Sequence, residues 1–218
     1  MLTELRIKPK ENMNDEPTVL RTNVPHKLSR IKRPSTQMVL WQREPAKNFQ
    51  LWLEKIDFEC LPHIRLLIKP KNFMSTVHSL LDDCGMPDDE MRSYLVNDVY
   101  RLILLFSDII KRAHVDVRFE KVDHDSCWKF HRDSVETRLV TTYRGAATEW
   151  VKAQYSEEAL QNQKEYQGPI EHFRPHDVGI FKGSRNGLGS GIVHRSPPIS
   201  GKTETRLILC LNEKMTLN

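Results

Sequence analysis

The chain has 218 residues, 39% hydrophobic and 28% charged, enough for one generous domain or a domain with a smaller lobe. That composition excludes a wholly disordered chain, and no apolar run is longer than the one at 102–106, far short of the ~20 residues a membrane helix needs. The net charge of +4 resides in the first 38 residues, where eight Lys/Arg face four Asp/Glu; the remaining 180 carry 25 of each sign, with no basic stripe to indicate nucleic acid.

The opening Met1-Leu-Thr-Glu-Leu-Arg6 has no apolar run before a small-residue cleavage site, so no secretory leader is expected. Cys60, Cys84, Cys127 and Cys210 lie far apart without a CxxC pair, which fits reduced thiols in a cytoplasm rather than a disulfide framework. Pro9, Pro17, Pro25 and Pro34 punctuate a stretch without periodicity, and residues 1–37 read as a basic, disordered tail.

A helical lobe is expected over 38–114. Met38-Val-Leu-Trp41 reads as a short strand. Residues 47–60 read as a helix with Phe49, Trp52, Ile56 and Cys60 on one face. A second helix, 72–84, carries Phe73, Val77, Leu80, Leu81 and Cys84 at helical spacing. Pro87-Asp88-Asp89 opens a third, to about Ala113, because proline suits a first turn and acids suit the positive end of the dipole. Its inward face holds Met91, Tyr94, Leu95, Leu102, Phe106, Ile109 and Ile110.

After His114 the period becomes two. Val115, Val117 and Phe119 alternate with Asp116, Arg118 and Glu120, a strand with one buried face. Further strands are expected at 127–132, 136–143, 148–152, 177–182, 191–195 and 204–212, with Gly and Pro between them. The class is α+β, and residues 115–218 form an antiparallel sandwich or jelly roll.

The residue pattern that carries chemistry is Phe130-His131-Arg132-Asp133. On an extended strand, positions i and i+2 share a face, so His131 and Asp133 converge. An imidazole nitrogen and a carboxylate oxygen suit divalent iron, manganese or zinc. His194, on a strand after the glycine-rich turn, supplies a third ligand. Arg206 opens the apolar strand Arg206-Leu-Ile-Leu-Cys-Leu211, either at a solvated rim or aimed at a carboxylate. Tyr143 is a candidate second contact, odd-numbered like Asp133; the alternative is a core aromatic with its hydroxyl satisfied.

The order His-x-Asp, about sixty residues, His, about a dozen residues, Arg resembles the iron- and 2-oxoglutarate-dependent dioxygenases. The resemblance implies a double-stranded β-helix, Fe(II) held by His131, Asp133 and His194, and Arg206 paired with the distal carboxylate of the cosubstrate 2-oxoglutarate. Cys127-Trp-Lys-Phe-His-Arg-Asp133, Arg138-Leu-Val-Thr-Thr-Tyr-Arg-Gly145, Thr148-Glu-Trp150, Val193-His-Arg-Ser-Pro-Pro198 and Arg206-Leu-Ile-Leu are similar to the DUF1826 family of uncharacterised bacterial proteins. That resemblance implies an association with metal homeostasis and no particular activity.

The reading is therefore a non-haem iron oxygenase acting on an unidentified substrate with a small-molecule cosubstrate. The polar stretch 154–176 and the glycine-rich 183–191 would lie near the mouth as a lid. Two alternatives stay open: a cupin-like metal-binding or sensing protein without turnover, holding iron, zinc or manganese, and an interaction protein in which His131 and Asp133 merely pair. His124, Cys127 and His131 could instead hold a structural zinc, though without a knuckle spacing. Gly201-Lys202-Thr203 is no phosphate loop, since Ser196 stands where the earlier glycine is required and a strand follows.

Overall fold

The structure is a computed structural model and describes residues 18–187, 191–201 and 203–213. Its elements, in chain order, are β1 (Thr18–Thr22), β2 (Thr36–Trp41), α1 (Lys47–Lys55), β3 (His63–Ile68), α2 (Phe73–Asp83), α3 (Glu90–Ile110), β4 (Val115–Val122), β5 (Thr137–Arg144), β6 (Glu149–Trp150), α4 (Ser156–Asn162), β7 (Glu171–His172), β8 (Val178–Lys182), β9 (His194–Arg195) and β10 (Arg206–Glu213).

α3 shows why the helical readings hold. Asp89 caps it by accepting the Arg92 N–H at 2.9 Å, Glu90 sits in its first turn, and Lys111 ends it in the left-handed region at φ 54°. Leu95, Val99, Leu102, Phe106 and Ile109 form one buried stripe at helical spacing. α1 is shorter than expected: it stops at Lys55, and a separate 3₁₀ turn, Phe58–Cys60, follows with Asp57 accepting the Glu59 N–H.

Seven strands form the larger sheet in the order β1-β2-β8-β5-β10-β4-β3, antiparallel except for the β1–β2 edge. β7, β6 and β9 form a small antiparallel sheet, extended by an isolated bridge between His131 and His194. From β4 onward the chain passes repeatedly between the two: β4 large, His131 small, β5 large, β6 and β7 small, β8 large, β9 small, β10 large.

Both faces of the larger sheet are covered. Leu139 and Tyr143 of β5, with Leu207, Leu209 and Leu211 of β10, join the core shared with α1, α2 and α3. The opposite face packs Met38, Leu40, Val140 and Phe181 against Trp150, Phe173 and Ile192 of the small-sheet region. A third cluster of Phe130, Val151, Ala159, Tyr166 and Val193 lies under α4. Burial on both faces explains why β10 reads as a nearly unbroken apolar run.

The expected tail needs correcting over 18–37; its first 17 residues lie outside the described ones. β1 pairs with β2, and the 3₁₀ helix Pro25–Lys32 buries Leu28 and Ile31 in the main core. Pro25 opens that 3₁₀ helix and Pro34 lies in the turn before β2. The boundaries at 37/38 and 114/115 likewise separate no bodies, because β2 pairs with β8 and β3 with β4. Nor does 127–132 form a strand. Cys127 takes φ 55°, and within this stretch only His131 makes a ladder pair.

Candidate metal centre

His131 and His194 face each other because their backbones exchange both hydrogen bonds, each N–H donating to the other's carbonyl at 3.0 Å. The rings end 4.6 Å apart between centroids, with Phe181 packed 4.8 Å from the ring of His194. Asp133 leaves the bridge on a loop held by the end of β8: Ser184 donates its N–H and hydroxyl to the Asp133 carbonyl at 2.8 and 3.1 Å. Gly183 makes that approach possible. A Cβ there would lie 2.3 Å from the Val135 carbonyl oxygen and 2.6 Å from that of Asp133.

One ligand atom from each of His131, Asp133 and His194 lies within 4.8 Å of the other two, and among the described residues no other His/Cys/Asp/Glu group of three does so. Asp133 Oδ1 is 3.5 Å from His131 Nε2, and Oδ2 is 3.3 Å from His194 Nε2. Adjacent donors on a first-row ion with bonds of about 2.0–2.2 Å stand roughly 3 Å apart, so these separations suit one shared ion.

The tautomers reinforce this fit. His131 Nδ1 lies 2.7 Å from the Lys129 carbonyl and His194 Nδ1 3.0 Å from the Ile192 carbonyl. With Nδ1 turned to a carbonyl in each ring, Nε2 is the nitrogen left to face Asp133. That position can hold an Nε2 proton donated to the carboxylate, and a metal ion can take the proton's place. Asp133 is buried, and its Oδ2 has no hydrogen-bond donor. Burial opposes ionisation of Asp133, yet the two histidines and the Arg138 guanidinium, whose Nη1 donates to Oδ1 at 2.6 Å, hold its carboxyl well below the usual range. Burial also pulls His131 down, but Asp133 and the Lys129 carbonyl prevail and raise it.

Arg206 shares this space. A cavity of about 80 Å³ is lined by His131, His194, Arg138, Cys127, Ile208 and Arg206, among others. Arg206 is 2% exposed, its Nε is buried without a partner, and no described carboxylate forms an ion pair with it. The solvated-rim alternative therefore does not describe it. Burial lowers its pKa, with Cys127, Cys210 and Asp125 partly opposing the shift. Gly145, at φ 78°, lies against the Thr205 carbonyl where any Cβ would clash, and so seats the start of β10.

Tyr143 is placed elsewhere. It lies in the helix-facing core and donates its hydroxyl to Asp98 Oδ2 at 2.6 Å, beside Arg43. Its odd number misleads because Asp133 precedes β5 across a loop, so strand parity does not carry from one to the other. Within β5, even-numbered Arg138 and Val140 line the cavity. The side chains of His124 and His172 are largely exposed and outside the cluster, and Cys127 lines the cavity without joining the ligand group. Sequence reasoning missed Arg138, whose role depends on a partner five residues away through a turn.

The molecule belongs first to a fold class. It resembles dioxygenase for auxin oxidation 1 from Arabidopsis thaliana, solved as its 2-oxoglutarate complex, with a TM-score of 0.50 at 10% identity, covering 89% of this chain and 91% of that one. The rice dioxygenase for auxin oxidation matches at TM-score 0.49 and 8% identity, covering 90% and 82% of the respective chains. A Pseudomonas putida prolyl-4-hydroxylase matches at 0.43 and 10%, covering 88% and 100%. No curated protein matches the sequence. The chain belongs to the family described as "Protein of unknown function (DUF1826)", whose model matches residues 22–212.

Proposed function

We propose that this protein is a mononuclear non-haem iron oxygenase that consumes 2-oxoglutarate and dioxygen, built on a double-stranded β-helix. The passage of the chain between two sheets from β4 to β10 supports that fold, with α1–α3 as a helical lobe on the outer face. One observation carries the functional reading. The two histidines that face the buried carboxylate of Asp133, whose Oδ2 has no donor, line one cavity together with a buried guanidinium that pairs with no described carboxylate, that of Arg206. The first suits a cation and the second an anion, and a metal-chelating keto acid with a distal carboxylate satisfies both.

His131, Asp133 and His194 would hold the iron, two imidazoles and one carboxylate being the donor set that leaves positions open. Iron with 2-oxoglutarate supplies the oxidising power for attack on a substrate C–H bond. The chain's own part is binding and shielding. Arg206 orients the cosubstrate through its far carboxylate, and Val140, Phe181 and Ile208 form an apolar wall that limits water. The segment around α4, docked on Phe130 through Gln163, supports the idea that 154–176 borders the mouth.

Anaerobic addition of Fe(II) and then 2-oxoglutarate to the metal-free protein tests the reading. A visible charge-transfer band that needs both components is the expected result. Iron uptake without the band would leave a non-catalytic metal-binding protein, and no uptake of iron, manganese or zinc would leave an interaction protein.

A further inference from the structure

Asp116, Asn212 and Arg138 stand directly opposite one another in the register of three neighbouring strands, Asn212 facing Asp116 across β4–β10 and Arg138 across β10–β5. Their side chains join in a row. Arg118 Nε donates to Asp116 Oδ2 at 3.2 Å, and Asn212 Nδ2 donates to the same oxygen at 3.1 Å. Asn212 Oδ1 accepts from Arg138 Nε at 2.7 Å, and Arg138 Nη1 reaches Asp133 Oδ1 at 2.6 Å. Asn212 and Asp133 are both buried, so the two links that Arg138 makes form with little competition from water, while the Arg118–Asp116 end is more open.

We propose that Arg138, held by this row, is a positioning residue that fixes Asp133 as a one-oxygen metal donor. The inference rests on Asp133 being a ligand. An aspartate carboxylate without a second partner can rotate to chelate through both oxygens or swing out of line. Here Oδ1 is engaged by a guanidinium whose own orientation Asn212 sets, which leaves Oδ2 turned toward His194.

Charge alone predicts the opposite effect. A bare cation beside Asp133 competes with a metal ion for the carboxylate, so removing it would tighten metal binding. Removing a positioning partner weakens binding, by about 10–100-fold for groups that orient ligands from behind.

The test titrates Co(II) into the full-length metal-free protein and records its visible ligand-field spectrum, for wild type, Asp133→Ala, Arg138→Ala, Arg138→Lys and Asn212→Ala. Thermal melts of the metal-free forms identify any variant that fails to fold. Arg138→Ala and Arg138→Lys should each weaken Co(II) binding by about 10–100-fold and alter the spectrum. Asn212→Ala changes no charge and should shift affinity in the same direction by a smaller factor, which keeps the test open if Arg138→Ala does not fold. A wild type that takes up no Co(II), or an Asp133→Ala variant that binds it equally well, would overturn the metal reading itself. Binding through Asp133 that stays as tight or tightens in Arg138→Ala, or is restored by Arg138→Lys, would overturn the positioning role and leave the metal reading standing.

Discussion

Gln163 brackets the backbone of Phe130: its Oε1 accepts the Phe130 N–H at 2.8 Å and its Nε2 donates to the Phe130 carbonyl at 3.0 Å. One side-chain amide thus does for this segment what a neighbouring strand would do, one residue before His131. The same Nε2 also reaches the Leu160 carbonyl in the last turn of α4, so it couples the polar insertion to the candidate metal centre.

Gln163 keeps this role in an unfavourable backbone, at φ 51° and ψ −109°, a region that suits glycine. Gln163→Ala retains the strain and leaves the Phe130 groups without a partner, at a cost of about 1–3 kcal/mol. Gln163→Gly loses the same bonds but relieves the backbone by roughly 1 kcal/mol. Chemical denaturation should therefore order the proteins wild type, Gly variant, Ala variant. An Ala variant as stable as wild type would show that the bracket contributes nothing.

The elements read correctly from the sequence are those whose signal is local. α3 announces itself by its cap and apolar stripe, β5 by its β-branched and aromatic residues, and β10 by its apolar run. The gathering of His131 and Asp133 was legible because the two lie two residues apart, and that of His194 because its spacing follows a known order. β1 and β3 were missed: both are edge strands with mixed side chains, and β1 gains its partner only once β2 is in place. Gln163 and Arg138 were not legible. The first acts across 33 residues, and the second through a register that three strands set together.

Leu28 tests the corrected view of the basic segment. It is fully buried in the main core, within the 3₁₀ helix that packs on β2 and α3. Leu28→Ala should destabilise the protein by about 2–5 kcal/mol, the cost of a cavity in a packed core. An unchanged denaturation midpoint would return this segment to the status of a solvated tail.

His176 gives stability a pH signature away from the candidate metal centre. Burial, followed by the charge of Arg43, pushes its imidazole down to about 4. An unfolded histidine titrates near 6.5, so between about 6.5 and 4 the unfolded chain holds a proton that the folded chain rejects. Stability from this group is complete above that window and is lost as pH falls through it, by about 2–3 kcal/mol. His176→Asn removes the titration and still tolerates the φ of 69° found there. Denaturation at pH 7 and pH 4.5 should show a smaller loss for the Asn variant; equal losses would mean that the ring stays exposed to water.

Arg206 separates an oxygenase from a passive metal site, because substitutions there should lower cosubstrate affinity without lowering metal content or stability. With 2-oxoglutarate present, its guanidinium would make a desolvated pair with the distal carboxylate. Losing one partner of such a pair costs about 2–5 kcal/mol, or roughly 30-fold to several thousand-fold in affinity. Arg206→Ala should weaken 2-oxoglutarate binding to the iron form by that order while metal content stays near wild type; Asp133→Ala should lower metal content itself. Without the cosubstrate, Arg206 is a buried cation that no described carboxylate pairs, so it contributes little or nothing to folding. The metal-free Arg206→Met variant, which refills most of the volume, should melt at or above the wild-type temperature. A residue that is dispensable for stability yet required for cosubstrate affinity is one kept for function. Equal 2-oxoglutarate affinity in Arg206→Ala and wild type would remove the cosubstrate assignment, and a large drop in the melt of Arg206→Met would make Arg206 a structural residue instead.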